Sequence, residues 1–281
     1  MRLAALALLV LAITFAGEPR ESWAQGLGDL SVAPTRVVLE GRDRAASITV
    51  SNRGAEAATF RISIVNMRMT ETGEFQEVTS PDPGQLFAED LIRYSPRSID
   101  LAPGGAQVVR ILLTKPDGLA DGEYRSHLFI RGEPKVGGRS IEQQDQSNLS
   151  IQLQPIFGVT IPVIVRQGAV QASATFSDFQ LLPPEGDDPT PRLRMAINRT
   201  GNESTFGDIR ITFHPTSGGQ ELVVGELNGL SVYTPNPRRL IEVHLRAPSG
   251  VDLHKGKLGI AYNTPEKDGA RPIARGETTL P

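Results

Sequence analysis

Alternation of apolar and polar positions with a period of two dominates this chain. At residues 59–64, Phe60, Ile62 and Ile64 share one side of an extended segment, and Thr59, Arg61 and Ser63 share the other. Residues 47–51 alternate in the same way, and 30–39 are rich in β-branched side chains. Residues 107–113 and 124–130 add further short apolar runs, with Asn52, Gly54, Pro116 and Gly118 as punctuation. Short strands separated by turn signals at intervals of roughly 8–12 residues predict a sandwich or barrel. No segment sustains a helical repeat; the best helical candidate, 86–93, amounts to two turns at most.

Residues 149–166 carry the strongest pattern. Leu149, Ile151, Leu153, Phe157, Val159, Ile161, Val163 and Val165 all fall on odd positions, and Pro155 completes the series. Strands usually run to about five or six residues, so one continuous strand here outruns its own sheet. Pro155 and Pro162 have no N–H to donate, which favours an edge position. A long apolar edge invites pairing with another chain unless something covers it. The alternative is two consecutive strands, bent at Pro155 and buried at home. The preceding stretch, 132–148, is polar and glycine-rich and reads as a long hairpin loop.

A second series of strands follows a joint at 166–169. It comprises 174–182, 192–197, 208–213, 221–224, 239–245, 257–262 and 273–278. Turns fall at 183–191, 200–202, 217–219 and 235–237. The expected fold is all-β, two immunoglobulin-like sandwiches in tandem. The N-terminal domain is placed at 25–166 and the C-terminal domain at 167–281.

The first residues serve targeting. Met1-Arg2 precedes an unbroken apolar run at 3–16, too short to span a bilayer and fitting a signal-peptide core. Ser22-Trp23-Ala24 offers small residues at both cleavage positions, so residues 1–24 are expected to be removed and Gln25 to begin the mature protein. No later stretch is long and apolar enough for membrane insertion.

Composition narrows the chemistry. Apolar residues make up 39% of the 281 and charged residues 22%, enough for a packed core. The net charge of −3 argues against a nucleic-acid partner. With no cysteine, the chain lacks disulfides, thiol nucleophiles and cysteine metal sites. No nucleophile elbow, zinc-protease helix or phosphate loop occurs. His127, His214, His244 and His254 are scattered; His127 reads as a strand residue, and His244 with His254 as solvated strand-face residues rather than metal ligands. Neither an enzyme nor a cofactor is expected. The sequons at Asn148, Asn198 and Asn202 are attributable to chance.

Several segments together resemble the PapD-like periplasmic chaperones of pilus assembly. Residues 32–41 (VAPTRVVLEG) resemble that family's first strand, with its arginine before two apolar residues. Residues 105–111 (GAQVVRI) resemble its Gly-x-x-x-x-Val-Arg segment, and 123–129 (EYRSHLF) its glutamate-started strand before the long loop. Residues 161–166 (IPVIVR) resemble the end of the last strand of the first domain. The likeness covers nearly all of the N-terminal domain.

The resemblance implies a function for the long strand. In that family it is lent to an incomplete pilin sandwich, with backbone hydrogen bonds for affinity and alternate side chains for specificity. Phe157, Val159, Ile161, Val163 and Val165 are the expected client-binding row. Arg36 matches the arginine that anchors a subunit's C-terminal carboxylate between the domains, a task suited to a guanidinium. The family's partner lysine falls at Pro162, which cannot fill that role. Glu123 and Arg166 match two members of an interdomain charged cluster, and Asp268 is the candidate for the third. The implied partners are pilus or fimbrial subunits and an outer-membrane usher, in the periplasm, with self-association open to the client-free chain. The competing reading is a structural or adhesive exported protein that pairs with itself through its edge strand.

Overall fold

A computed structural model describes residues 30–133, 157–186, 190–248 and 250–279. Among them the regular elements are strands, apart from a 3-10 turn at Glu266–Asp268. The signal segment, the loop after Glu133 and the alternating positions before Phe157 lie outside the described residues. No described helix is long and apolar enough to cross a membrane.

The first sandwich is built from β1 (Leu30–Ala33), β2 (Val37–Leu39), β3 (Ala45–Asn52), β4 (Ala58–Val65), β7 (Ile92–Ser95), β8 (Ser98–Leu101), β9 (Ala106–Leu113), β10 (Gly122–Gly132) and β11 (Gly158–Gln167). One sheet runs β1-β3-β9-β7 and the other β2-β11-β10-β4-β8. Between β4 and β7, β5 (Met67–Met69) and β6 (Phe75–Glu77) form a separate hairpin. The alternation of the sequence is realised directly. Ile48, Val50, Val109 and Ile111 from one sheet meet Phe60, Ile62, Leu128 and Ile130 from the other, all buried. Burying side chains of this size contributes roughly 1.5–3 kcal/mol each.

The structure corrects three expectations here. Residues 30–39 are not one strand: β1 pairs antiparallel with β3, whereas β2 pairs parallel with β11 in the opposite sheet. The change of sheet occurs at Pro34, which has no N–H for a ladder, and it leaves Arg36 at the crossover. The helical candidate at 86–93 is irregular chain leading into β7, because Ile92 and Tyr94 pair with β9. Most consequentially, Ile161, Val163 and Val165 are buried at home. They are at most 1% exposed and belong to the core of their own sandwich. Strand β11 is zipped to β10 along its whole length, and its odd positions point at the facing sheet.

The second sandwich comprises β12 (Ala172–Leu182), β13 (Arg192–Gly201), β14 (Thr205–Pro215), β15 (Leu222–Val232), β16 (Arg238–His244), β17 (Gly256–Asn263) and β18 (Pro272–Thr279). Its sheets run β12-β13-β16 and β15-β14-β17-β18. Leu193, Met195, Ile197, Ile211, Phe213 and Ile260 fill the core, with Tyr262, whose hydroxyl donates to the Leu230 carbonyl at 2.9 Å. The joint between sandwiches is short and tied at both sides. The Ala169 N–H donates to the Asp121 carboxylate (3.2 Å), and the Asn202 side-chain amide bonds Ala169 and Gln171.

Candidate functional site

Two regions gather the residues singled out by the sequence: the junction between the sandwiches and the leading end of β11.

At the junction, antiparallel register places Glu123, at the start of β10, opposite Arg166, at the end of β11. Glu123 is buried and accepts from Arg166 Nε at 3.3 Å. It also accepts from the Ser204 backbone N–H at 3.1 Å and from the Ser204 hydroxyl. Ser204 stands in the β13–β14 turn, so Glu123 ties the two sandwiches together. Arg166 further pairs with Glu40 at 3.0 Å and with Glu203 at 2.8 Å. Burial pulls the Arg166 pKa down, but Glu123, Glu203 and Glu40 outweigh it and hold it above its ordinary value. Burial raises the Glu203 carboxyl above its ordinary range, against the opposing pull of Arg166. The structure therefore joins Glu123 and Arg166 but not Asp268. Asp268 is exposed on the 3-10 turn between β17 and β18, and Glu203 supplies the acid from the second sandwich. Lys115, isolated in the sequence, donates to the Arg166 carbonyl at 2.8 Å.

Arg36 reaches the second sandwich from the crossover between β1 and β2. Its guanidinium lies 4.4 Å from the Phe206 ring centroid and donates to the Ser231 hydroxyl at 3.3 Å. No ion pair to Arg36 forms among the described residues.

Across β10 from the lysine-less position, His127 stands directly opposite Pro162, and Arg125 opposite Ile164. Both are 2% exposed. They are covered by the β5–β6 hairpin and by Tyr233. The Phe75 ring meets His127 edge-on at 5.5 Å, and the Arg125 guanidinium stacks 4.0 Å from the Tyr233 centroid. Met69, Ile164 and Tyr233 form a small apolar cluster beside them. The hairpin tip docks on the second sandwich: the Leu240 N–H donates to the Glu71 carbonyl at 2.7 Å, and Asn236 donates to the Met69 carbonyl at 2.6 Å. Gly73 is required at the tip, with φ +90° and the Arg239 guanidinium where a Cβ would stand. Burial, helped by the Arg125 charge, lowers the His127 pKa to about 3.

Sequence reasoning missed Arg125, Glu203, Tyr233 and the hairpin. A signal for Arg125 existed: Glu123, Arg125 and His127 form the odd-numbered face of β10, opposite the apolar Tyr124, Leu128 and Ile130. Three charged or titratable groups on one sheet face mark a surface that meets something other than the core.

At the other region, β11 emerges from its sandwich in steps. Val163 and Val165 are fully buried, Ile161 is 1% exposed, Val159 is half-buried and Phe157 is 47% exposed. The outer neighbour, β2, covers only Val163 to Val165. From Gly158 to Pro162 the outer edge of β11 has no paired strand among the described residues. Gly158 lies under the Phe129 ring, whose nearest atom would stand 2.4 Å from an added Cβ.

Residues 29–168 match the family model described as "Pili and flagellar-assembly chaperone, PapD N-terminal domain". The chain belongs to this family, as a divergent member. PapD-like proteins are assembly chaperones rather than enzymes, and this one is a pilus-assembly chaperone. Among solved structures, the YadV chaperone aligns at 11% identity and TM-score 0.45, covering 90% of this chain and 100% of that one. The CupB2 chaperone of Pseudomonas aeruginosa aligns at 14% and 0.42, covering 89% and 100%. SafB, crystallised with the SafA pilin of Salmonella enterica, aligns at 14% and 0.43, covering 92% and 99%. No curated protein matches the sequence.

Proposed function

We propose that this PapD-like chaperone acts in the periplasm. It holds a pilus-type subunit by adding the leading end of β11 to the subunit's incomplete sheet, and it delivers that subunit to an outer-membrane usher. The observation that carries the reading is the stepwise emergence of β11. Its apolar row leaves the home core at Phe157, where the strand edge is also unpaired. The client-binding row is therefore shifted towards the N-terminus relative to the sequence expectation. Val159 and Phe157 belong to it, and the same alternation continues back through Pro155, Leu153, Ile151 and Leu149 in the sequence. Ile161, Val163 and Val165 anchor the strand that is lent. Backbone pairing along the edge gives affinity, and each apolar side chain buried in the subunit's groove adds roughly 1.5–3 kcal/mol.

Arg36 serves as the carboxylate anchor in this reading, and Glu123, Arg166 and Glu203 fix the angle at which anchor and strand are presented. Affinity purification from periplasm, followed by mass spectrometry, tests the proposal. A 1:1 complex with a small β subunit that is unstable alone is the expected outcome. Recovery of the chain only as a homo-oligomer would favour self-pairing instead.

A further inference from the structure

Strands β15 and β16 are edge strands of the two sheets of the second sandwich. Two bridges bring these edges side by side. Just past β16, the Arg246 N–H donates to the Val224 carbonyl at 2.7 Å. Near the hairpin tip, the Arg239 guanidinium donates to the Ser231 carbonyl at 2.5 Å. Between the bridges lies a cavity of about 630 Å³, whose lining includes Thr72, Leu227, Leu230, Ile241 and Glu242. An adjoining space of about 370 Å³ shares Leu227 and Glu242 and takes in the exposed Val223. Ligand sites usually enclose roughly 300–1,000 Å³. The wall formed by β16 is bare strand edge. The Leu240 N–H points away from β13, to the Glu71 carbonyl of the hairpin tip at 2.7 Å. Backbone groups alternate in direction along a strand, so those of Glu242 point the same way. No strand pairs with β16 on that side among the described residues. The hairpin tip thus makes the first bond of an added strand and goes no further. The charge of the slot is incomplete too. The Glu242 carboxylate is matched by Arg192 and Arg194. Arg239 also lines the cavity, its Nε has no partner, and no acid pairs with it among the described residues.

We propose that this slot takes an extended segment of a partner polypeptide, which adds as a strand beside β16 with an apolar side chain against Leu227 and Ile241 and an acidic one at Arg239. An exposed edge offers a row of main-chain donors and acceptors to such a segment, and the side chains of the slot select it. Arg36 is not part of the lining, and the strand edge at Phe157 belongs to the other sandwich. The inference does not depend on the chaperone reading.

With no native cysteine, disulfide trapping reads weak binding at one chosen place. Two forms of the full chain are compared: Asn228→Cys at the slot wall and Ser217→Cys in the exposed β14–β15 turn. Each is equilibrated with a reducing thiol and the end-blocked peptide Thr-Val-Asp-Val-Thr-Cys, and mass spectrometry reads the fraction captured. Asn228→Cys should hold the peptide against about tenfold more thiol than Ser217→Cys does. Methylating the peptide's backbone nitrogens should abolish the difference, and so should adding Glu242→Pro, which removes a slot-facing N–H. Lysine in place of the peptide's aspartate should also bring capture down to the level of Ser217→Cys, and adding Arg239→Gln should make the two peptides equal. Equal capture of the aspartate peptide at both cysteines overturns the slot. Capture that survives backbone methylation overturns the added strand. Equal capture of the aspartate and lysine peptides by the chain that keeps Arg239 overturns the acidic assignment. If Glu242→Pro or Arg239→Gln does not fold, the methylated and lysine peptides still decide.

Discussion

Replacing His127 with leucine should raise the stability of this protein and flatten its acid dependence. The imidazole is buried between Phe75, Pro162 and Arg125, with neither nitrogen hydrogen-bonded among the described residues. Burial chiefly, and the Arg125 charge secondarily, lower its pKa from 6.5 to about 3. The folded state thus binds fewer protons at this site than the unfolded state. Stability from the neutral ring is complete above its ordinary pKa and is lost as pH falls from there towards the lowered value. Each pH unit in that window corresponds to about 1.4 kcal/mol. Between pH 7 and pH 5 the loss is about 2 kcal/mol. Glu203 works in the opposite sense: its raised carboxyl pKa gives a contribution that is present at low pH and lost as pH rises through that value. It is common to both proteins and cancels in their difference. Urea unfolding at pH 7, 6 and 5 measures that difference. At pH 7 the leucine variant should equal or exceed the wild type, because two buried unsatisfied nitrogens disappear. By pH 5 its advantage should have grown by about 2 kcal/mol. Parallel stability curves across this range would refute the buried, neutral assignment of His127.

Arg36→Ala should lower client affinity by roughly a hundredfold or more if the anchored carboxylate is buried, since breaking such a pair costs about 3–5 kcal/mol. Amidating the client's C-terminus should give a similar loss in titration calorimetry, and the two changes should not add. Glu123→Ala leaves Arg166 without its most buried partner and should destabilise the junction by about 3–5 kcal/mol in denaturant melts, with increased hydrogen exchange at Ser204. Gly158→Val should push the Phe129 ring off the start of β11, lowering client capture more than thermal stability; a pull-down beside a melting curve separates the two.

The sandwich cores were legible because a period of two survives folding unchanged: Phe60, Ile62, Leu128 and Ile130 are buried as their alternation requires. The second sandwich was equally readable from 192–197 and 257–262. The burial of Ile161, Val163 and Val165 was not legible because periodicity fixes which side chains share a face, not whether that face meets the home core or a partner. Ile161 and Phe157 share a face, and only the end of β2 and the opposing sheet separate their fates. The junction was half legible. Glu123 and Arg166 could be assigned through motifs, but Glu203 lies 37 positions from Arg166 in sequence and pairs with it only across the domain joint. The hairpin escaped notice because three-residue strands carry too little alternation to register.

Phe157→Asp, compared with Ile161→Asp, tests the central claim most directly. Melting temperature and 1:1 co-purification with the subunit are measured for both. Ile161→Asp buries an unpaired charge in the home core, which costs several kcal/mol, and should unfold the protein. Phe157→Asp should melt like the wild type and capture no subunit. Unimpaired capture by Phe157→Asp, or a folded Ile161→Asp that has lost only its client, would contradict the division of β11 into a home half and a lent half.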